Sequence, residues 1–200
     1  MAGRALRVLA VALAAVGVWQ VGHGVWIYAK ARLAQHLLQR AWTRTLAGDL
    51  DVKPWPWADT WPVARLRVPA HGVDLIVLDA VSGRTLAFAP GHAGGSARPG
   101  VAGTAIISGH RDTHFSFLQR VRPGDEVIVD TPGHAPARFR VRETSVVDAR
   151  TAVIRRAGDG EAGLVLLTCY PFDAIRPGGP LRYVVAAEAI SLAARPGSSD

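Results

Sequence analysis

Only one cysteine, Cys169, occurs in 200 residues, so the chain can form no intrachain disulfide framework and no cysteine-rich zinc site. Lysine is nearly missing as well, Lys30 and Lys53 being the two present, and arginine supplies the rest of the positive charge. Acidic residues are absent from positions 1–48, which hold Arg4, Arg7, Lys30, Arg32, Arg40 and Arg44. Those six carry most of the formal net charge of +7, because the other 17 basic residues meet all 16 acidic ones in the remaining 152 positions. The basic excess therefore flanks an N-terminal apolar run instead of forming a groove on a folded domain, which argues against a nucleic-acid partner. Charged residues make up only 20% of the chain and hydrophobic ones 49%, which excludes a disordered protein. There is no internal repeat and no sustained alternation of strand and helix patterns.

The run from position 8 to position 29 contains 22 residues without a formal charge when His23 is neutral. At ~1.5 Å per residue a helix of that length reaches ~33 Å, enough for a hydrocarbon core of ~30 Å. Trp19, Trp26 and Tyr28 favour an interfacial position at its C-terminal end. The competing reading is a cleaved signal peptide ending near Ala12-Leu13-Ala14, but the apolar run continues well past that site. The expectation is a membrane anchor over 8–29 with a short segment, 1–7, before it. Arg4 and Arg7 compete with Lys30 and Arg32, so charge counting leaves the orientation open.

Ala34, Leu37, Leu38, Ala41, Trp42, Thr45 and Leu46 then recur at helical spacing, with Arg32, Gln35, His36, Gln39, Arg40 and Arg44 on the other face. This juxtamembrane amphipathic helix suits either an anionic lipid surface or the flank of a folded domain. Three prolines among residues 53–62 cannot continue a helix and mark a Pro/Trp linker, so 30–62 reads as helix plus linker. From 63 to 190 short β-branched runs alternate with Gly/Pro turns. Strands are predicted at 63–68, 73–78, 85–89, 104–108, 126–130, 138–147, 163–169 and 181–188, and helical pieces at 115–120 and 151–157. Alternation over 127–129 and 138–141 reads as half-buried strand, while 105–107 and 164–167 read as central strands buried on both faces. Eight strands in this length predict an all-β fold with short helices, a closed or nearly closed barrel, followed by a flexible tail over 191–200.

A lone cysteine is most often a small buried hydrophobe. Cys169, however, ends the run Val165-Leu-Leu-Thr-Cys169 and is followed at once by Tyr170-Pro171, which places a thiol at a sheet rim. A nucleophilic thiol needs a proton-holding partner, usually histidine. His110 has the matching setting, at the end of Ala105-Ile-Ile-Ser-Gly-His110, with Gly109 allowing close backbone approach. His23, His36, His71, His92 and His134 lack such a setting. His110 and His114 have the spacing of two helical zinc ligands, yet Arg111 stands where a zinc protease needs glutamate, the segment reads as a loop, and no third ligand is evident. The glycine-rich stretch 91–100 fits neither a phosphate-binding loop nor a dinucleotide fingerprint. No metal or cofactor is expected. An arginine fits the remaining need, a donor for a tetrahedral oxyanion. Arg176 lies in a Pro/Gly loop and Arg182 on a strand, and the strand residue is held more rigidly.

Three segments in register, Gly103-Thr-Ala-Ile-Ile-Ser-Gly-His110-Arg-Asp-Thr-His-Phe115, Val165-Leu-Leu-Thr-Cys169-Tyr-Pro-Phe172 and Arg182-Tyr-Val-Val185, resemble the sortases, membrane-anchored cysteine transpeptidases of the bacterial surface. The likeness spans about 63–190. The usual family motif is Thr-Leu-x-Thr-Cys, and here Val165 takes the first Thr position. The Arg-rich, Lys-poor composition is similar to that of the proteobacterial type. The resemblance implies an eight-stranded barrel with Cys169 as nucleophile, His110 as acid/base partner, Arg182 as oxyanion or substrate stabiliser and Thr168 as a substrate contact. It further implies cleavage of a Leu-Pro-x-Thr-Gly-like motif on a surface protein through a thioacyl enzyme, transfer to an amine acceptor, and a single pass through the inner membrane with the N-terminus in the cytoplasm and the barrel outside. An L,D-transpeptidase would show His-Gly-Cys, and a papain-type protease would place Cys before His. Outside enzymology, the alternative is an inactive sortase-like barrel that scaffolds a membrane complex.

Overall fold

The computed structural model describes residues 2–153, 161–176 and 178–190. They fall into two compact units, Met1–Leu37 and Leu38–Asp200.

Helix α1 runs without a break from Ala2 to Leu46. The anchor and the amphipathic segment, expected as two helices, are therefore one, since no proline or helix-ending glycine motif occurs before Gly48. From Gly3 to Leu46 it is long and apolar enough to cross a bilayer. In the first unit its large apolar side chains are exposed, Val18 and Trp19 among them. Lys30 and Arg32 lie over the rings of Trp26 and Tyr28, covering aromatic faces with cationic side chains. The helix ends at Gly48, whose φ of 105° is readily available only to glycine, with the amides of Gly48 and Asp49 bonded back to Thr45 and Arg44.

In the second unit the end of α1 meets the folded domain. Leu38 and Trp42, one turn apart, are buried with Ile76, Leu78 and Ala89, and Trp55 packs against them. For residues 38–46, then, the amphipathic stripe packs on protein. The Pro/Trp linker follows with Ala58 buried and Trp57 exposed, and the Thr60 hydroxyl donates to the Asp79 carbonyl at 2.7 Å.

The body is a closed barrel of eight strands: β1 (Pro62–Val68), β2 (Val73–Asp79), β3 (Gly91–His92), β4 (Gly103–Ser108), β5 (Glu126–Asp130), β6 (Ala137–Asp148), β7 (Ala162–Cys169) and β8 (Leu181–Ala189). Around the barrel the order is β1-β2-β3-β4-β7-β8-β6-β5. Two neighbouring pairs are parallel, β2 with β3 and β4 with β7, and the rest are antiparallel. The core is built from the inward positions of these strands, among them Leu66, Val77, Ile107, Val127, Phe139, Leu164, Leu166 and Val185, and is closed by Phe115, Phe117 and Leu118. Each fully buried large side chain removes enough apolar surface to be worth about 1.5–3 kcal/mol, which makes this cluster the main source of stability.

One predicted element changes identity. Positions 85–89 are not a strand: Ser82 caps a short helix α2 (Gly83–Leu86), its hydroxyl oxygen accepting the Thr85 amide at 3.1 Å. The strand in this part of the sheet is instead the two-residue β3. Central β4 alternates, with Ala105 and Ile107 buried and Ile106 half-buried, whereas β5 is buried at Val127, Ile128 and Val129 alike. The 138–141 alternation holds, Phe139 and Val141 pointing in. The helical piece near 115–120 is a 3₁₀ turn, Ser116–Arg120. Of the piece expected at 151–157, residues 154–157 lie outside the described residues, as does the expected tail at 191–200; Thr151 closes a turn, its amide bonded to Asp148.

Candidate active site

The site forms where β4 and β7 end side by side. Because the two run parallel, their C-terminal ends lie at one rim of the barrel. Ser108 is in register with Leu167, so His110 and Cys169 each lie two residues beyond a matched pair. Two bonds continue the match past the ladder: the Gly109 amide donates to the Leu167 carbonyl at 3.2 Å, and the Thr168 hydroxyl donates to the Gly109 carbonyl at 2.7 Å. A Cβ on Gly109 would stand 2.8 Å from Cγ of Phe115, so the ring of Phe115 packs where a side chain would otherwise be. This is the close approach that glycine before His110 permits.

Cys169 is a free, half-buried thiol. Across the antiparallel β7–β8 ladder it is directly opposite Arg182. Side chains at such a pair share a face, with Cβ atoms ~4.5–5.5 Å apart. Arg182 Nη1 donates to the carbonyls of Gly179 and Leu181, 2.8 Å each, which leaves its remaining N–H groups for other acceptors. Arg176, the rival from the loop, is exposed. Thus one strand pair sets Cys169 opposite Arg182 and another takes Cys169 and His110 to one rim.

Thr168, expected as a substrate contact, faces the barrel interior. It is 3% exposed and its hydroxyl is engaged by the Gly109 carbonyl, so it ties the nucleophile strand to the histidine strand from inside.

His110 is exposed at the start of a loop closed by the Phe115 amide bonding back to the His110 carbonyl at 2.9 Å. Farther along it, His114 is half-buried. Burial, and then the proximity of a charged His110, hold its pKa below the ordinary histidine value, against the Phe88 carbonyl, which accepts from its ring, and the Asp112 charge. The two histidines therefore resist carrying charge together. Among the described residues no three metal-ligating side chains cluster.

Other residues of the rim escaped sequence reasoning. Arg111 Nη2 donates to the carbonyls of Ala174 and Arg176, at 2.7 and 3.3 Å, on the segment that follows Cys169. Tyr170 stacks on Tyr183 at 6.3 Å, and Phe172 meets Tyr183 edge-on at 5.2 Å, forming an aromatic wall beside Cys169 and Arg182. The one sequence signal for the aromatic pair was adjacency, since Tyr170 follows Cys169 and Tyr183 follows Arg182. A recess of about 360 Å³ opens beside the His110 loop, lined by His114, Phe117 and Arg120 together with Val73 and Leu75 of β2. A larger cavity of about 600 Å³, lined by residues such as Asp51, Trp61, His92 and Arg98, includes none of His110, Cys169 and Arg182.

Comparison with known proteins agrees with this architecture. Sortase D of Bacillus subtilis (strain 168) is 27% identical over 120 residues, an alignment that spans 60% of this chain and 60% of that one. The solved sortase C-1 of Actinomyces oris superposes with a TM-score of 0.57 at 26% identity, covering 64% of this chain and 72% of that one. A Clostridium perfringens Sortase D5 transpeptidase shares the fold with a TM-score of 0.62 at 19% identity, over 80% of this chain and 99% of that one. These relatives are sortases of Gram-positive bacteria, so the proteobacterial affinity expected from composition finds no support in them. The model of the sortase domain matches residues 66–190, a span from the middle of β1 to the end of β8 that carries His110, Cys169 and Arg182, and the chain belongs to the sortase family.

Proposed function

We propose that this sortase is a membrane-anchored cysteine transpeptidase acting on surface proteins that carry a Leu-Pro-x-Thr-Gly-like sorting motif. The observation that carries the reading is the meeting of two ladders at Cys169: the parallel β4–β7 pair takes His110 to the same rim, and the antiparallel β7–β8 pair sets Arg182 opposite the thiol. Sulfur is the nucleophile as thiolate, and an imidazolium beside it supplies the proton that the leaving amine needs.

In the forward half-reaction the Cys169 thiolate attacks the carbonyl carbon of the motif threonine. Arg182 donates to the oxygen that becomes negative. The C–N bond to glycine then breaks as imidazolium His110 delivers its proton to the leaving amine, leaving a thioester on Cys169. In the second half-reaction an acceptor amine attacks the thioester carbon, His110 takes the amine proton, and the C–S bond breaks with the electron pair returning to sulfur. A new amide is formed and the enzyme is regenerated in its starting ionic form. Thr168 contributes by holding β7 to Gly109.

Helix α1 supports a bilayer as partner, and membership of the sortase family supports an N-terminus in the cytoplasm and a barrel on the outer side of the cell membrane, where surface proteins and amine acceptors are met.

The test is to incubate the full chain in detergent micelles with a Leu-Pro-x-Thr-Gly peptide and excess small amine, following protein and peptide by mass spectrometry beside Cys169→Ala. A thioacyl adduct or amine-capped peptide seen with wild type alone supports the reading. A folded protein whose Cys169 alkylates readily yet acylates with no motif variant overturns it in favour of a binding barrel.

A further inference from the structure

Arg111 has no part in the chemistry just described, yet its environment is unusual for an arginine next to an exposed histidine. Nη2 reaches over sixty residues along the chain to donate to the carbonyls of Ala174 and Arg176, in the segment leading away from Cys169. Nη1 is buried, and among the described residues it finds no acceptor. A surface arginine left to itself keeps all five N–H donors hydrated, and burying one without an acceptor costs free energy. Loop stability alone does not explain that geometry, because water would serve the two carbonyls as well.

We propose that Arg111 is a positioning residue that clamps the loop of His110 to the loop of Cys169, fixing the separation of imidazole and thiol. The proposal rests on the transpeptidase reading above, in which the Cys169 thiolate and the His110 imidazolium act on the same reacting carbon and its amine. The frame around it is consistent. Thr168 secures the two strands just below the rim through the Gly109 carbonyl, and Arg111 secures the two loops just above it, so His110 and Cys169 lie between two fastenings. Arg182 holds the far part of the same β7–β8 loop through Gly179 and Leu181. The clamp thus joins the histidine to a loop whose other end is tied to the residue opposite the thiol. Besides His110, the titratable and charged groups around this rim are Asp112 and His114 on the histidine loop, Tyr170, Asp173 and Arg176 after Cys169, and Arg182, Tyr183 and Asp148 on β8 and β6.

The decisive experiment measures the rate of Cys169 alkylation by a small neutral haloacetamide across pH, on the full chain in detergent, for wild type, Arg111→Ala, Arg111→Lys and His110→Gln. No substrate peptide is required. Pairing with imidazolium sustains thiolate at lower pH, so His110→Gln moves the half-maximal rate up toward ~8.5, the value of a free thiol. Arg111→Ala is expected to move it the same way, and Arg111→Lys, whose ammonium still donates to two carbonyls, to recover part of the difference. With a substrate peptide, Arg111→Ala lowers kcat by about 10²-fold while KM stays nearly unchanged, as for a misplacement of about 1 Å between reacting groups. Should the alanine variant fail to fold, Arg111→Gln keeps bulk and one donor and is expected to shift the profile in the same sense.

An Arg111→Ala profile superimposed on wild type, while that of His110→Gln moves, overturns the positioning role and leaves the transpeptidase reading intact. A profile unmoved by His110→Gln removes the His110–Cys169 pairing, and the clamp falls with it.

Discussion

Cys169 and Arg182 are direct partners across the β7–β8 ladder, the last register pair before the strands part into the loop between them. The backbone positions from which the thiol and the guanidinium project are thus fixed by sheet hydrogen bonding, the most rigid device this fold offers.

That rigidity makes Arg182 testable. Arg182→Ala is expected to lower kcat by about 10²–10³-fold, the loss associated with one oxyanion donor. The pH profile of Cys169 alkylation should remain near wild type, because the guanidinium acts on the acyl oxygen. Steady-state turnover and alkylation measured on the same preparation check both halves, and an unchanged kcat sinks the assignment.

Thr168→Val removes the donor to the Gly109 carbonyl and keeps the side-chain shape. A buried carbonyl left without its donor costs about 1–3 kcal/mol, which denaturant unfolding will show, and Thr168→Ser should restore most of it. Peptide turnover should fall with the loss of the strand-to-strand tie. If Thr168→Val weakened substrate binding without loss of stability, the hydroxyl would be a substrate contact after all.

Gly109→Ala would set a methyl group 2.8 Å from the Phe115 ring. Phe115 is fully buried and belongs to the core, so the ring has little room to retreat. Overpacking of this kind costs about 1–3 kcal/mol, and the shift also displaces His110, the next residue. Thermal unfolding and turnover should both report it. A variant as stable and active as wild type would show that the loop yields freely.

His114 should titrate below the ordinary histidine value of 6.5, because burial and the nearby His110 charge both disfavour its protonated form. A histidine with a depressed folded-state pKa takes up its proton more readily when unfolded. Its contribution to stability is therefore intact above pH 6.5 and declines as pH falls from there toward the folded-state value. NMR titration of the imidazole checks the direction, and His110→Gln should raise it by removing the second cause. No movement in His110→Gln would mean that the two rings are electrostatically independent.

Much of this architecture was legible because strands and turns here speak locally. The alternation at Phe139 and Val141, and the Pro/Gly turns near Arg122 and Thr131, mark their elements without help from distant residues. Positions 85–89 misled because Thr-Leu-Ala-Phe-Ala is apolar enough for a strand, while the hydroxyl of Ser82, three residues before Thr85, starts a helix instead. The joint between anchor and amphipathic helix was invisible as continuity, since a change in composition near Lys30 is not a backbone break. At the site, His110, Cys169 and Arg182 could be picked by residue type and by their positions at strand ends. Arg111 could not be, because its meaning lies in two carbonyls more than sixty positions away. The inward direction of Thr168 likewise depends on which neighbour its strand acquires.

The parallel pairing of β4 with β7 has a consequence for when chemistry becomes possible. His110 emerges during synthesis long before the thiol, and β5 and β6, on the far side of the barrel from β4, come between β4 and β7 in the sequence. Contacts of such sequence separation form late in folding, because the entropy of closing the intervening chain must be met first. The meeting of His110 with Cys169 is thus an output of barrel closure: a partly folded chain carries the thiol without its partners, and the site is complete only when the barrel is.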